Sequence, residues 1–185
     1  LLTIRIESAT ITNCIFNSCR SAIGGAIYAY FSGDVYFKFT IATSEFNECQ
    51  ATQNGGAVYI KNTQYQKHAF SISACTFISN KAANGGGVYG YVRDNLAIKN
   101  CNFSNNEATK GSSLWLILGQ NNTKLDEYDT YDITGNTFTF APKAESLNNV
   151  YLENIDITNT TQDPPSTYVN IGGNTFSISN EFAEA

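Results

Sequence analysis

Apolar residues recur along this chain in pairs, in which a phenylalanine follows an isoleucine by five residues. The six pairs are Ile11/Phe16, Ile41/Phe46, Ile72/Phe77, Ile98/Phe103, Ile133/Phe138 and Ile171/Phe176. The phenylalanines of successive pairs are 26 to 38 residues apart, whereas the spacing within a pair is constant. A constant motif between loops of variable length is typical of a repeat protein, in which every repeat adds the same side chains to a shared core.

The residues before each phenylalanine alternate between the two faces of a short β-strand. The positions seven and five before it are apolar, and the position two before it is small or polar. The alternation changes phase between the isoleucine and the phenylalanine. We therefore predict a bend or bulge three or four residues before the phenylalanine, since residues that tolerate unusual backbone angles recur at the third position. These residues are Asn13, Asn100, Gly135 and Gly173.

A second motif follows each phenylalanine after a polar stretch, and consists of glycines, an aliphatic residue and an aromatic residue. The motif is clear at Gly24–Tyr28, Gly55–Tyr59 and Gly85–Tyr89. At Gly111–Trp115 and Asn148–Tyr151 it loses glycines but keeps the aliphatic and aromatic residues. The glycines predict a tight turn into the next strand. We place the aliphatic residues of that strand in the core, so the aromatic residues point outward. They form a column of Tyr28, Tyr59, Tyr89, Trp115 and Tyr151.

These patterns predict an all-β fold, a parallel β-helix (a solenoid) of five to six turns. One repeat of about 30 residues is too short for a closed domain but long enough for one turn of three short strands. Helical repeats need apolar residues at i, i+3 and i+4, a pattern that the chain lacks. We interpret residues 1–185 as a single segment of a longer chain, with regular turns over residues 9–118 and diverged turns with longer loops over residues 119–185.

The two motifs together resemble the repeat of polymorphic outer-membrane proteins (Pmp), a family of surface adhesins. The Gly-Gly-Ala-aliphatic part stands at Gly24–Ile27 and Gly55–Val58, and nearly so at Gly85–Val88, where a glycine replaces the alanine. The Phe-x-x-Asn part stands at Phe77/Asn80 and Phe103/Asn106. The match covers roughly residues 9–115, and Phe16 and Phe46 are followed by cysteine in place of the asparagine. The resemblance implies a right-handed parallel β-helix, exported to the cell surface and working in adhesion.

The composition of the chain limits the kinds of partner that we expect the protein to bind. The chain has 15% charged residues and a formal net charge of −5. It has no basic stripe, so we expect no nucleic-acid partner, and it has no long apolar run, so we expect no membrane span. The expected location is extracellular or at the cell surface. The expected partners are surface glycans or proteins, together with end-to-end self-association or a continuation of the same chain.

The cysteines fall at repeat positions that bring some of them together. Cys19 and Cys49 both stand three residues after a phenylalanine. On adjacent turns their Cα atoms would lie about 4.8 Å apart, which a disulfide accepts. An exported protein favours that bond, and a ladder of free thiols is the alternative. For Cys75 and Cys101, which share an inward-facing column, we favour free thiols.

Residues that could carry catalysis are few. His68 is the only histidine, and we place it in a solvated loop because no nucleophile motif accompanies it. We expect no metal site and no cofactor, since Cys-x-x-Cys is also missing. The carboxylates form no repeating column, so an acid/base pair for polysaccharide cleavage lacks support. We interpret the acidic stretch before Ile133 as a solvated loop rather than a calcium site. It contains Asp126, Glu127, Asp129 and Asp132.

Three sequons for N-glycosylation occur, at Asn102, Asn121 and Asn159. Three is no enrichment over chance for a chain so rich in asparagine, serine and threonine. The sequons are informative only if the protein passes through a eukaryotic secretory pathway.

The aromatic column leaves two hypotheses open. Exposed aromatic stripes bind glycans or proteins because they combine apolar area with a polar tip, whereas rings that stack between turns stabilise the fold and bind nothing. Our first hypothesis is a non-catalytic extracellular or cell-surface β-helix, either an adhesin or a structural component of a surface coat or appendage. The alternative is a carbohydrate-active β-helix that binds or cleaves polysaccharide along the column.

Overall fold

The computed structural model describes residues 7–32, 36–62, 68–118, 129–140, 150–153 and 167–178. Within these ranges the chain forms nineteen short strands and no helix, which confirms the predicted all-β class. In chain order the strands are β1 (Ser8–Thr12), β2 (Ile15–Asn17), β3 (Arg20–Ile23), β4 (Ile27–Phe31), β5 (Lys38–Ala42), β6 (Glu45–Asn47), β7 (Gln50–Asn54), β8 (Val58–Asn62), β9 (Ala69–Ser73), β10 (Thr76–Ile78), β11 (Val88–Val92), β12 (Asn95–Lys99), β13 (Asn102–Ser104), β14 (Leu114–Leu118), β15 (Asp129–Thr134), β16 (Thr137–Phe140), β17 (Val150–Glu153), β18 (Thr167–Asn170) and β19 (Thr175–Ile178).

Strands that are distant in sequence pair to form three large sheets. Sheet 1 has the order β1-β5-β9-β12-β15-β18, sheet 2 has the order β2-β6-β10-β13-β16-β19, and sheet 3 has the order β4-β8-β11-β14-β17. A smaller sheet consists of β3 and β7. The strands of each sheet run parallel. Successive repeats therefore add neighbouring strands to the same sheets, an arrangement consistent with the predicted parallel β-helix.

The register aligns like residues of successive repeats in the core. In sheet 1, Ile11 pairs with Ile41, and the column continues to Ile133. In sheet 2, Phe16 begins a column of phenylalanines that continues to Phe176. Neighbouring rings of this column are nearly parallel, with centroids 4.7 to 5.1 Å apart. Interior members of both columns are fully buried, and each such side chain contributes about 1.5–3 kcal/mol by leaving water.

The last isoleucine and phenylalanine pair departs from the predicted core. Ile171 and Phe176 are both 57% exposed. Among the described residues, Phe176 stacks only on Phe138, because β19 is the last described strand in the order of sheet 2. Ile171 follows the last residue of β18 and lies outside the strand pairing. The repeat motif therefore predicts burial correctly only where strands lie on both sides.

The predicted bend lies three residues before each phenylalanine. All six residues at this position have a positive φ, between 50° and 67°, which confirms the bend. Four of them are the expected asparagines and glycines. The other two, Thr43 and Ala74, adopt the same left-handed conformation although a Cβ atom disfavours it. The fold of the repeat, rather than the residue type, therefore sets the left-handed conformation at this position.

The second glycine of the Gly-Gly motif lies against the backbone of the next repeat. A Cβ atom on Gly56 would collide with the carbonyl oxygen of Gly86 and lie 2.8 Å from the backbone of Lys81. We expect Gly56→Ala to lower the free energy of unfolding by about 2 kcal/mol or more, since overpacking costs about 1–3 kcal/mol and backbone atoms cannot rotate away. Urea unfolding measures the loss.

Gly172→Ala is the control for this prediction. Its new Cβ atom would meet only the side-chain oxygen of Asn170, at 3.3 Å, and that side chain can move. We expect a change within about 1 kcal/mol in either direction. Equal losses in the two variants would contradict the close approach at Gly56.

Candidate functional site

The predicted aromatic column lies on the outer face of sheet 3. Tyr28, Tyr59, Tyr89, Trp115 and Tyr151 pair directly with one another across β4, β8, β11, β14 and β17. The aliphatic residues on either side of each aromatic residue face the core, as predicted, because successive side chains of a strand point to opposite faces. The core-facing residues are Ile27, Val58, Val88, Leu114 and Val150, and two residues further Ala29, Ile60, Leu116 and Leu152.

Mutual stacking covers most of the rings in this column. Tyr28, Tyr59 and Tyr89 stack nearly parallel with centroids 5.2 Å apart, and Trp115 meets Tyr89 and Tyr151 edge to face. Tyr59 is 8% and Trp115 9% exposed, against 56% for Tyr28. Of the two hypotheses for the column, stacking between repeats therefore describes Tyr59 and Trp115, which rings on adjacent strands cover on both sides. A binding role for the five residues stays a prediction.

Two lysines lie on the rings of this face. Lys61 Nζ is 6.0 Å from the ring centroid of Tyr30 and 5.8 Å from that of Tyr91. Lys110 Nζ is 5.1 Å from the ring of Trp115 and 5.4 Å from that of Tyr151. Lys61 lies between rings of the repeats on either side of its own, and Lys110 lies over the rings of two adjacent strands, both at the distance of a cation–π contact. Sequence reasoning missed both lysines, because neither belongs to a repeated column.

Burial within the column changes the acidity of its phenols. Desolvation raises the pKa of Tyr89 to about 12, and the negative charges of its neighbours would add to the shift. Desolvation also raises the pKa of Tyr59. Both phenols are therefore neutral at physiological pH. An unfolded tyrosine loses its proton near pH 10, before folded Tyr89 does, so this residue makes the fold less stable as the pH rises from about 10 to 12.

A column of buried asparagines binds the backbone of neighbouring repeats. Asn80 Oδ1 accepts a hydrogen bond from the Cys49 N–H at 2.9 Å, and Asn80 Nδ2 donates to the Phe46 carbonyl at 2.9 Å. Asn106 repeats both bonds one repeat later, with the Asn80 N–H and the Phe77 carbonyl. The two carboxamides also bond to each other at 3.0 Å. The recurrent Phe-x-x-Asn motif marked these residues, although the sequence did not reveal what they bind.

A second column of asparagines, at the position two residues before the phenylalanine, forms a similar ladder of hydrogen bonds. Asn136 Oδ1 accepts from the Cys101 N–H, and Asn136 Nδ2 donates to the Ile98 carbonyl, both at 2.9 Å. Asn174 makes the matching bonds with the Asn136 N–H and the Ile133 carbonyl. The two ladders satisfy buried backbone groups at the corners, where strand pairing is interrupted.

The cysteines lie in these same two columns. The strands before and after each cysteine pair in register, which places Cys19 opposite Cys49 and Cys75 opposite Cys101. All four are free thiols in the structure. Burial raises the pKa of Cys49 to about 11. A hydrogen bond with the Cys101 thiol lowers the pKa of Cys75, while the same bond and burial raise that of Cys101. The Cys19–Cys49 disulfide stays a prediction.

His68 belongs to a buried polar cluster, so its predicted place in a solvated loop is wrong. It is 1% exposed, and its ring packs near Phe31. Its Nδ1 accepts from the Phe37 N–H at 3.1 Å, which places the proton of the neutral ring on Nε2. Asp94, 3% exposed, accepts from the His68 N–H at 3.0 Å and from Asn62 Nδ2 at 2.8 Å. No periodic signal marks these residues, since each belongs to one repeat only.

Replacing Asp94 separates the roles of its charge and its oxygen. We expect Asp94→Ala to lower the free energy of unfolding by about 2–3 kcal/mol, because the buried His68 N–H loses its acceptor. Asp94→Asn can keep an oxygen where Oδ2 lies, and we expect a loss of about 1 kcal/mol or less. Guanidinium unfolding of both variants provides the measurement. If the two losses are equal, the charge rather than the acceptor holds the cluster, and the prediction fails.

The remaining predicted sites are only partly within the described residues. Asn102 lies on β13 with an exposed side chain, whereas Asn121 and Asn159 lie outside the described residues. Of the acidic stretch, Asp132 pairs with Lys99, whose hydrogen bond lowers the pKa of that carboxyl. Asp126 and Glu127 lie outside the described residues.

The described part holds no cluster of three or more His, Cys, Asp or Glu able to bind a metal ion. In that part no helix has the length and apolar character needed to cross a membrane.

The fold and its columns define an all-β repeat protein built on in-register parallel sheets. Comparison with protein-family models, with curated proteins and with solved structures gives no match for this chain.

Proposed function

We propose that the three sheets close into a right-handed parallel β-helix of five to six turns. Left-handed corners support this proposal, since they recur between the sheets in most repeats. After β1 the chain turns at Asn13, after β2 at Ser18 and before β4 at Gly24, and the equivalent residues of the next two repeats also have positive φ. Three corners in each repeat return the chain to the sheet where it started. The resemblance to the Pmp repeat motivates the right-handed sense.

On this architecture, we propose a non-catalytic protein of the cell surface or the extracellular space, either an adhesin or a structural component of a coat or appendage. The continuous ring stack from Phe16 to Phe176 carries this proposal. A ladder that spans every repeat makes an elongated, cooperative rod with regular faces. Such a rod suits display and assembly at a surface. The proposed partners are surface glycans or proteins, or a second copy joined end to end.

The contacts of the carboxylates support a non-catalytic role. Five of the described carboxylates bind partners within the fold rather than another carboxylate. Asp94 accepts from Asn62, Asp132 and Glu107 pair with lysines, Glu153 accepts from Trp115, and Glu48 accepts from Ser18. Glycoside cleavage by the usual route uses two carboxyl groups that flank one bond. These five are instead engaged in holding repeats together.

The second candidate is a carbohydrate-active β-helix that binds or cleaves polysaccharide along sheet 3. One observation favours it: Tyr28 and Tyr30 are exposed on the outer face of β4. Aromatic rings with an open face bind sugars through apolar area and their hydroxyl groups.

Two measurements test the proposed function. Purified protein is incubated with a panel of neutral and acidic polysaccharides, and the release of reducing or unsaturated sugar is followed. We expect no release, and release from any polymer would establish the second candidate instead. Antibody labelling of intact source cells is the other measurement. Labelling only after permeabilisation would contradict a surface location.

A further inference from the structure

The outer face of sheet 3 is almost entirely aromatic or apolar. Beside the aromatic column runs a second outward column, two residues further along each strand. This second outward column consists of Tyr30, Lys61, Tyr91, Ile117 and Glu153. The two columns together therefore hold one positive and one negative charge, and every other outward position carries an aromatic ring or an isoleucine. Aromatic enrichment and few charged residues are typical of the centre of a protein interface.

Both charged side chains of this face lack an ion-pair partner within the described residues. Lys61 is partly exposed and its ammonium group lies beside two tyrosine rings. Glu153 is also partly exposed, and one of its carboxylate oxygens accepts from Trp115 Nε1 at 3.1 Å. Between them, Tyr91 and Ile117 keep part of their surface open to solvent. The rings and the hydrogen bond limit the freedom of both charged groups before a partner arrives, which lowers the entropy lost on binding.

The two charges lie symmetrically about one line on the face. Lys61 lies on β8 and Glu153 lies on β17, with β11 and β14 between them. Three strand spacings of about 4.8 Å place the two positions about 14 Å apart. A line that runs along the strands, midway between β11 and β14, is therefore equally distant from both. Rotation by half a turn about an axis on this line brings a second copy face to face, with its strands in the same direction and its repeats in the opposite order.

This rotation brings opposite charges together at two places. Lys61 of each copy meets Glu153 of the other, because the rotation exchanges β8 with β17. It also exchanges β11 with β14, so that Tyr91 of one copy meets Ile117 of the other. An axis along the direction of stacking is the alternative. That rotation leaves each strand opposite its own counterpart, so Lys61 never meets Glu153. Charge complementarity therefore selects the arrangement in which the repeats are antiparallel.

We propose that the protein forms a symmetric dimer through the outer face of sheet 3, with the repeats of the two copies antiparallel. Two pairs of Lys61 with Glu153 flank a centre of packed rings and Ile117. A second copy of the chain fits this face because one patch supplies both charges, as a self-complementary interface requires. A side-by-side dimer goes beyond the proposed surface function and does not depend on where the protein works.

The size of the face sets the expected affinity. Five strands at about 4.8 Å and about five residues at 3.3 Å each give about 400 Å² for each copy. A standard interface buries about 800 Å² on each partner, so we expect a weak dimer with a Kd of about 10–100 µM.

Sedimentation velocity of the intact protein, between about 5 and about 500 µM, tests whether the dimer forms. We expect an equilibrium between monomer and dimer that stops at the dimer, because a twofold contact is closed. Raising NaCl from about 50 to about 500 mM should weaken the dimer at least threefold, since partly exposed charges are screened. Monomer throughout the range overturns the proposal. Open-ended growth with concentration also overturns it, because such growth indicates contacts between the ends of the molecule.

Charge reversal locates the interface. Lys61→Glu and Glu153→Lys should each weaken the dimer at least tenfold, because each places like charges opposite one another twice. The double variant should recover an affinity within about threefold of wild type, since it exchanges the two charges and keeps both pairs. The single variants change the net charge in opposite directions, so general repulsion between molecules cannot weaken both. The double variant also lacks the bond from Trp115 to the Glu153 carboxylate, so its recovery separates pairing from local damage.

Lys38→Glu is the matched control, because it makes the same change of charge on the outer face of sheet 1. We expect its dimer to be as strong as that of wild type, and circular dichroism confirms that every variant is folded. A double variant as weak as the single variants overturns the proposal, as does a control that weakens the dimer equally. The proposed surface function would survive either result, because labelling of intact cells and sugar release do not depend on a dimer.

Discussion

Phe77→Ala is expected to lower the free energy of unfolding by about 3–5 kcal/mol, the usual cost of truncating a buried phenylalanine. Phe77 is 0% exposed, and its ring lies between those of Phe46 and Phe103 at 4.8 and 4.7 Å. The substitution removes contacts to both neighbours and leaves a cavity that the fixed spacing of the strands cannot close. Urea unfolding followed by circular dichroism measures the loss.

Phe176→Ala is the matched control, because it truncates the same side chain in the same column. Phe176 is largely exposed and stacks on Phe138 alone, so we expect a loss of less than about 2 kcal/mol. The comparison holds residue type constant and varies only the number of covering neighbours. Similar losses in the two variants would show that the rings contribute little by stacking, and would contradict a core stabilised by the phenylalanine column.

The repeated columns could be predicted from the sequence because they obey one spatial rule. Strands of successive repeats lie side by side, so any residue that recurs at a fixed offset from the phenylalanine lies beside its counterparts. The isoleucine column, the phenylalanine column, the bend and the inward aliphatic positions of sheet 3 all follow from that rule. Their residue numbers could therefore be stated without coordinates.

Features outside the repeat could not be predicted in this way. His68 occupies the position that Phe37 has in the previous repeat and Asp94 has in the next. Because the residue type changes at every repeat, the sequence gives no periodic signal for a buried polar cluster. For the aromatic column the sequence left stacking and exposure open, because strand alternation gives the direction of a side chain but not the packing of its neighbours. Tyr59 and Tyr28 share one column and one direction, yet differ widely in exposure.

The asparagine ladder shows how the repeat holds its corners, and Asn80→Ala tests it. We expect this variant to lose about 3–6 kcal/mol of unfolding free energy, since the Cys49 N–H and the Phe46 carbonyl both lose their partners at about 1–3 kcal/mol each, with further loss of packing. Asn47→Ala is the control. Its side chain bonds only to the exposed Asn17 carboxamide, and we expect a loss of about 0.5 kcal/mol or less.

Asn80→Cys separates hydrogen bonding at this corner from simple filling of space. Cysteine already stands at the equivalent position of the preceding repeat, where Cys49 Sγ donates weakly to the Phe16 carbonyl at 3.6 Å. A thiol can therefore approach the carbonyl that the carboxamide contacts, but it is a poor acceptor for the backbone N–H. We expect a loss between those of Asn80→Ala and wild type, measured by the same urea unfolding. If Asn80→Cys is as stable as wild type, the column needs only a small buried side chain. The hydrogen bonds would then contribute no net stability, and the preference for asparagine in Phe-x-x-Asn would require another cause.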